Sequence, residues 1–158
     1  MAALEQFLAD AQATEAFGAR LAECCRGGLL VFLHGDLGAG KTTLVRGLLR
    51  GLGYTGPVKS PTFTLIEPYH LTSRTVFHFD LYRVADPEEL EYMGARDYFR
   101  ERAVCLIEWP ERASGWLTRP DLEVRLAYEA DARRAYLSGK TEATLATYLP
   151  DCPRSAEI

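Results

Sequence analysis

Leu29-Leu30-Val31-Phe32-Leu33-His34, followed at once by Gly35-Asp36-Leu37-Gly38-Ala39-Gly40-Lys41-Thr42-Thr43, is the stretch that decides the fold. The five apolar residues 29–33 read as a strand covered on both faces. The segment after them satisfies the pattern of Gly, four residues, Gly-Lys-Thr. From average residue usage, a chance match in a chain of this length is on the order of one in 200. Residues 42–52 then carry Leu44, Val45, Leu48, Leu49 and Leu52 as one helical stripe, with Gly53 as a stop. The order strand, glycine loop, helix has a physical meaning. Glycines let successive backbone N–H groups converge on phosphate oxygens where a side chain would block the approach, and the helix N-terminus adds partial positive charge. Lys41 supplies a point charge for the outer phosphates, and the Thr42 hydroxyl is a ligand for Mg²⁺. A glycine-rich turn with no ligand is the competing reading, and the intact context argues against it.

Working outward, Phe17, Leu21 and Cys24 recur at helical spacing, which predicts a helix over 14–25 punctuated by Gly27-Gly28. After an irregular stretch at 54–61, residues 62–71 and 75–82 look extended with a turn at 72–74, and Pro68 makes the first of these an edge or interrupted strand. Asp86-Pro87-Glu88-Glu89 is a helix start with a capping-box pattern, and Gly94 closes that helix. Residues 103–107 form a second buried strand ending in Glu108. Leu122, Val124 and Leu126 alternate as a third, and 133–138 pairs with it across a turn at 129–132. Residues 141–149 read as a terminal helix and 150–158 as a loose tail. The expectation is a single α/β domain over 1–158: P-loop NTPase-like, with a mixed, largely parallel sheet flanked by helices and an antiparallel part.

A phosphate loop needs a second magnesium partner, usually an acid at the end of a neighbouring buried strand. Glu108 ends Val104-Cys105-Leu106-Ile107, and Asp80 ends Val76-Phe77-His78-Phe79. Both would project at the carboxyl edge of an open α/β sheet, where ligands bind. A helix cap or a salt bridge with Arg83 or Arg112 is the plainer alternative for each. His34, His70 and His78 show no pairing suited to a metal and read as structural. Trp109 either packs beneath the site or presents a surface to a partner.

Composition narrows the class. The net charge is −4 and the basic residues are scattered, which argues against strong independent nucleic-acid binding. No apolar run approaches the ~20 residues of a membrane span, and the first ten residues lack the basic stretch of a secretory signal. Cys24, Cys25, Cys105 and Cys152 lack zinc-site spacing and read as free cytosolic thiols, so a cytoplasmic location is expected. The chain has no asparagine, and its only glutamines are Gln6 and Gln12. The Asn-Lys-x-Asp motif that reads guanine is therefore impossible, and ATP is the expected nucleotide. A carboxylate such as Asp80 would orient water if hydrolysis occurs.

Four motifs in order carry a family resemblance: 35–43 quoted above, Ser-Pro-Thr-Phe at 60–63, His-Phe-Asp-Leu-Tyr-Arg at 78–83 and Ile-Glu-Trp-Pro-Glu at 107–111. Together they resemble the bacterial TsaE family, formerly YjeE, ATPases needed to make threonylcarbamoyladenosine in tRNA. The resemblance implies that Gly35, Asp36, Leu37, Gly38, Ala39, Gly40, Lys41, Thr42 and Thr43 bind the phosphates of ATP. It implies that Thr42 and Glu108 hold Mg²⁺, that Asp80 and Lys41 act at the terminal phosphate, and that residues 60–63 form a switch loop. Thr14 matches a family threonine near the base, although a helix N-cap explains it as well. Arg133 or Arg134 matches a family arginine on the base side. The implied partners are TsaB and TsaD, with tRNA met only indirectly, no membrane, and hydrolysis cycling the assembly. A small-molecule kinase is the alternative from another class, though no convincing lid follows the segment at 51–56. A nucleotide-dependent binding module with negligible turnover is the third.

Overall fold

The computed structural model describes residues 3–25, 28–72, 74–100 and 103–139. The helix expected at 141–149 and the tail expected at 150–158 lie outside them. Seven strands form one sheet: β1 (Ala3–Leu8), β2 (Leu29–His34), β3 (Ile66–His70), β4 (Thr75–Asp80), β5 (Val104–Glu108), β6 (Leu122–Glu129) and β7 (Ala132–Gly139). Their order is β1-β7-β6-β2-β5-β4-β3. The central strands β6, β2, β5 and β4 are mutually parallel, while β1, β7 and β3 attach by antiparallel pairing. The expected α/β fold with a mixed sheet and an antiparallel part is what the chain adopts.

Helices cover both faces. On one side, α1 (Ala11–Leu21) and α2 (Lys41–Gly51) pack Phe17, Leu21, Leu44, Val45, Leu48 and Leu49 onto Val31, Leu33, Val76, Leu106 and Val124. On the other, α3 (Glu88–Tyr92) and α4 (Ala95–Arg100) close Leu90, Tyr98 and Phe99 over Phe77, Phe79, Cys105 and Ile107. Alternate residues of β4 and β5 thus face two separate cores, which is why β5 reads as an unbroken apolar run and β4 as one interrupted only by His78. Each fully buried large apolar side chain adds roughly 1.5–3 kcal/mol of favourable transfer.

Several boundaries differ from expectation, for local reasons. The first helix starts at Ala11, with Asp10 as N-cap accepting the Ala13 N–H at 2.8 Å. Thr14 is therefore an interior helical residue, and the N-cap reading of it is corrected. The helix gives way at Leu21 to a 3₁₀ turn, Ala22–Cys24. The edge strand β3 begins only at Ile66, because Leu65 takes a left-handed φ of 70° and its N–H closes a turn onto Pro61 O. Pro68 sits on that edge strand, where a missing N–H is tolerated. The capping-box bonds form, with Asp86 Oδ1 accepting the Glu88 N–H at 2.9 Å and Glu89 Oε1 accepting the Asp86 N–H at 3.3 Å, but the helix begins at Glu88 and Pro87 takes the N-cap position instead of the first helical one. Strand β1 and helix α4 were not anticipated. Among the described side chains of β1, Leu4 and Leu8 are the buried ones, four residues apart with Gln6 between them, a pattern too sparse to mark a strand.

α1 and α2 approach closely enough for backbone to meet backbone. A Cβ placed on Gly47 would lie 1.9 Å from Glu15 O, and one on Gly18 would lie 2.2 Å from Leu44 O. Neither obstacle is a flexible side-chain tip that could swing aside. Gly47→Ala is expected to force the helices apart and destabilise the fold by about 1–3 kcal/mol or more. Urea unfolding measures this, and a midpoint equal to the wild type would show that the helix pair has slack.

Candidate functional site

The loop at 35–40 leaves β2 at the sheet edge where β4 and β5 also end. In register, Leu33 pairs with Glu108 and Glu108 with Asp80, so two carboxylates stand side by side next to the loop. Gly35, Gly38 and Gly40 take φ of 152°, 81° and 105°. At Gly38 a side chain would be strained and would also collide with the Tyr128 hydroxyl, 2.8 Å from a Cβ placed there. Ala39 N–H donates to Asp36 O at 3.0 Å, tightening the loop, and Leu44 N–H donates to Gly40 O at 2.9 Å as α2 begins.

Lys41, Asp80 and Glu108 are all buried, at 7%, 6% and 3% exposure. Lys41 Nζ donates to Gly35 O at 2.5 Å and lies 4.2 Å above the centre of the Trp109 ring. Trp109 holds that position through a left-handed backbone, φ 56°, immediately after Glu108, and it also packs on Tyr82 at 5.0 Å. Of the two roles open to Trp109, packing at the site is the one seen here. Burial lowers the Lys41 pKa, and the carboxylates of Glu108, Asp80, Glu111 and Asp36 oppose that. Asp80 is pushed the other way. Burial raises its carboxyl above the ordinary value of 3.8 and neighbouring Glu108 adds to this, against bonds from the Tyr82 N–H and Thr62 hydroxyl. Those bonds measure 2.9 Å from Tyr82 N to Oδ1 and 3.3 Å from Thr62 Oγ1 to Oδ2. Through Thr62, which bonds Ser60 Oγ at 2.8 Å, the segment 60–63 is tethered to Asp80.

A second group of side chains holds the loop from the opposite flank. Arg133 Nε donates to Ala39 O at 3.2 Å and its Nη2 to Gly38 O at 3.3 Å. Its guanidinium rests 4.0 Å over the Tyr128 ring, whose hydroxyl donates to Leu37 O at 3.1 Å. A cavity of about 240 Å³ opens beside them, lined by Thr14, Gly38, Gly40, Thr43, Ala132 and Arg133. Arg134 points to the other face of β7, where it pairs with Glu129 and Glu5. Strand alternation thus separates the two arginines that sequence alone left open.

The structure therefore brings together Thr14, residues 35–43, Asp80, Glu108 and Arg133 at one edge. Sequence reasoning missed two participants. His78, read as structural, puts Nε2 3.3 Å from Glu108 Oε2. Its position two residues before Asp80 on a strand, hence on the same face, was the available signal. Tyr128 had no such signal, since its link to Leu37 depends on how the β6–β7 hairpin leans over the loop. Asp36 and Leu37 lie in the loop between these two flanks, and Leu37 is exposed.

Chemically, the edge offers one buried ammonium, two buried carboxylates, threonine hydroxyls and a glycine loop before a helix N-terminus. This is the constitution of a P-loop protein, an α/β class whose loop and helix dipole suit phosphate groups. The profile of the family described as "Threonylcarbamoyl adenosine biosynthesis protein TsaE" matches residues 8–136, and the chain belongs to the TsaE family. A relative from Haemophilus influenzae, the tRNA threonylcarbamoyladenosine biosynthesis protein TsaE, is 48% identical over 146 residues, 89% of this chain and 92% of that protein. The protein of the same name from Bacillus subtilis is 38% identical over 121 residues, covering 77% and 75%. The crystal structure of Bacillus subtilis YdiB superposes with a TM-score of 0.77 at 28% identity, over 94% of this chain and 95% of that one. Among the described residues, no helix is long and apolar enough to cross a membrane.

The raised Asp80 carboxyl has a definite consequence for stability. A folded-state pKa above the unfolded value contributes stability that is full below the unfolded value and lost as pH rises through the folded one. Asp80→Asn, which keeps an acceptor for the Tyr82 N–H, is therefore expected to melt a few degrees above wild type near neutrality. The gain should shrink to nothing as pH falls below the ordinary carboxylate value of 3.8. Paired melting curves across that range decide the matter, and a gain independent of pH would contradict the assignment.

Proposed function

We propose that this chain is a cytoplasmic ATP-binding and ATP-hydrolysing protein required for threonylcarbamoyladenosine modification of tRNA. It acts with TsaB and TsaD, cycling their assembly and never modifying tRNA itself. The observation that carries the reading is the convergence of Lys41, Asp80 and Glu108 on the loop at 35–40, with three charged side chains buried at one sheet edge. Burying charge is costly unless a compensating ligand belongs there. A triphosphate with its divalent cation supplies that compensation. The family membership, and the names that the relatives carry, support the pathway.

In this reading the amides of Gly35, Asp36, Leu37, Gly38, Ala39 and Gly40, with those of Lys41, Thr42 and Thr43, hold the phosphates. Lys41 exchanges its present bond to Gly35 O for an outer phosphate oxygen. The Thr42 hydroxyl and Glu108 carboxylate are hard oxygen donors of the kind Mg²⁺ selects, and they hold it. When bound, Mg²⁺ neutralises charge on the outer phosphates. Thr14 and Arg133 border the cavity on the base side, and Arg133 also pins two loop carbonyls. Asp80, its pKa already raised and two of its lone pairs committed to Tyr82 and Thr62, orients the attacking water and accepts its proton. The tether from Asp80 to Thr62 gives the segment 60–63 a way to sense the terminal phosphate.

The test is phosphate release from ATP by the purified chain, alone and with TsaB and TsaD. Release is expected to be slow alone and to rise when both partners are present. No release under either condition would reduce the protein to a binding module, and a labelled acceptor product would make it a kinase. Lys41→Ala is expected to abolish nucleotide binding measured by calorimetry, and an unchanged affinity would refute the loop assignment. Asp80→Ala is expected to lower kcat ~100-fold with affinity within about threefold. A collapse in affinity with a normal residual rate would remove Asp80 from the chemistry.

A further inference from the structure

His78 is fully buried on β4, and neither Nδ1 nor Nε2 has a hydrogen-bond partner among the described residues. An unpaired buried polar ring destabilises a fold, and an apolar side chain of similar size would fill the same space without that penalty. Packing therefore does not account for an imidazole at this position. Its surroundings suggest what does. Val76, His78 and Asp80 share one face of β4, and Asp80 pairs in register with Glu108 of β5. Nε2 lies 3.3 Å from Glu108 Oε2, within reach of a bond but not aligned for one. Asp80 already accepts bonds from the Tyr82 N–H and the Thr62 hydroxyl, and the carboxylate that the ring meets is Glu108.

We propose that His78 is a positioning residue, whose Nε2–H donates to Glu108 Oε2 and leaves the other oxygen of Glu108 to the cation. The proposal rests on the magnesium–nucleotide reading of the site given above. It needs only the neutral ring with its proton on Nε2, so that Nδ1 is left as a spare acceptor, not a buried donor. Carboxylates that ligate metals are held in this way by a hydrogen bond from behind, and removing the supporting group weakens metal binding 10–100-fold in general.

The experiment compares wild type, His78→Leu and His78→Gln by calorimetry with a non-hydrolysable ATP analogue. Binding is measured in EDTA and across a Mg²⁺ titration, and each chain is also melted without nucleotide. His78→Leu is expected to bind the analogue in EDTA within about twofold of wild type, to need ~10-fold or more Mg²⁺ for the metal-dependent gain, and to melt at or above wild type. His78→Gln, which restores an N–H donor, is expected to recover most of the Mg²⁺ response. A His78→Leu chain with the wild-type Mg²⁺ requirement, or a His78→Gln chain no better than it, overturns the role of His78 while leaving the site reading intact. A His78→Leu chain that does not fold overturns it too, because the ring would then be a packing element. Wild type that binds the analogue equally with and without Mg²⁺ removes both readings together.

Discussion

Three charged side chains buried at one sheet edge are the constraint around which the rest of this structure is arranged. Lys41, Asp80 and Glu108 would each carry a large desolvation penalty alone in an apolar setting. Placed together, the ammonium and the carboxylates offset one another, and the pKa shifts of Lys41 and Asp80 record how incompletely. The Lys41 ammonium finds an additional neutral partner in the face of Trp109, and a carbonyl acceptor in Gly35. Trp109 can serve only because its own backbone turns left-handed directly after Glu108, bringing the ring back over the loop.

The loop that faces these charges is held by contacts from elements distant in the chain. On one side β5 and β4 bring the carboxylates into line through parallel register with β2. On the other, the β6–β7 hairpin sends Tyr128 to Leu37 and Arg133 to Gly38 and Ala39, securing three carbonyls of a segment that has few bonds of its own. Beneath it α2 is seated against α1 by glycines that permit backbone contact. Pre-ordering of this kind matters because a loop whose amides must be gathered at the moment of binding would lose affinity to conformational entropy. The tether from Ser60 through Thr62 to Asp80 is the lighter counterpart on the exposed side, where Phe63 stands largely in solvent.

Much of the architecture was legible because the relevant signals are local. The apolar run at 29–33, the glycines and lysine of 35–41, and the stripe of α2 announce strand, loop and helix without reference to anything else. Asp80 and Glu108 were legible as acids ending strands, and Pro68 as the mark of an edge or interrupted strand, of which the pairing of β3 with β4 gives the edge. Strand β1 was not, since its two buried leucines make sense only once β7 lies beside them. The start of α1 at Ala11 was hidden because Ala11, Gln12 and Ala13 carry no large apolar side chain to begin a helical stripe.

The chain's own sequence determined the class of fold, the loop chemistry and the identity of the charged residues, because spacing and residue type act over a few positions. Only the tertiary structure decided which of two adjacent arginines faces the loop, since strand alternation has no sign until the sheet has sides. It likewise decided that Trp109 lies under Lys41 and that His78 abuts Glu108. Those contacts span strands far apart in sequence, and they follow from register and backbone handedness, which no local pattern encodes.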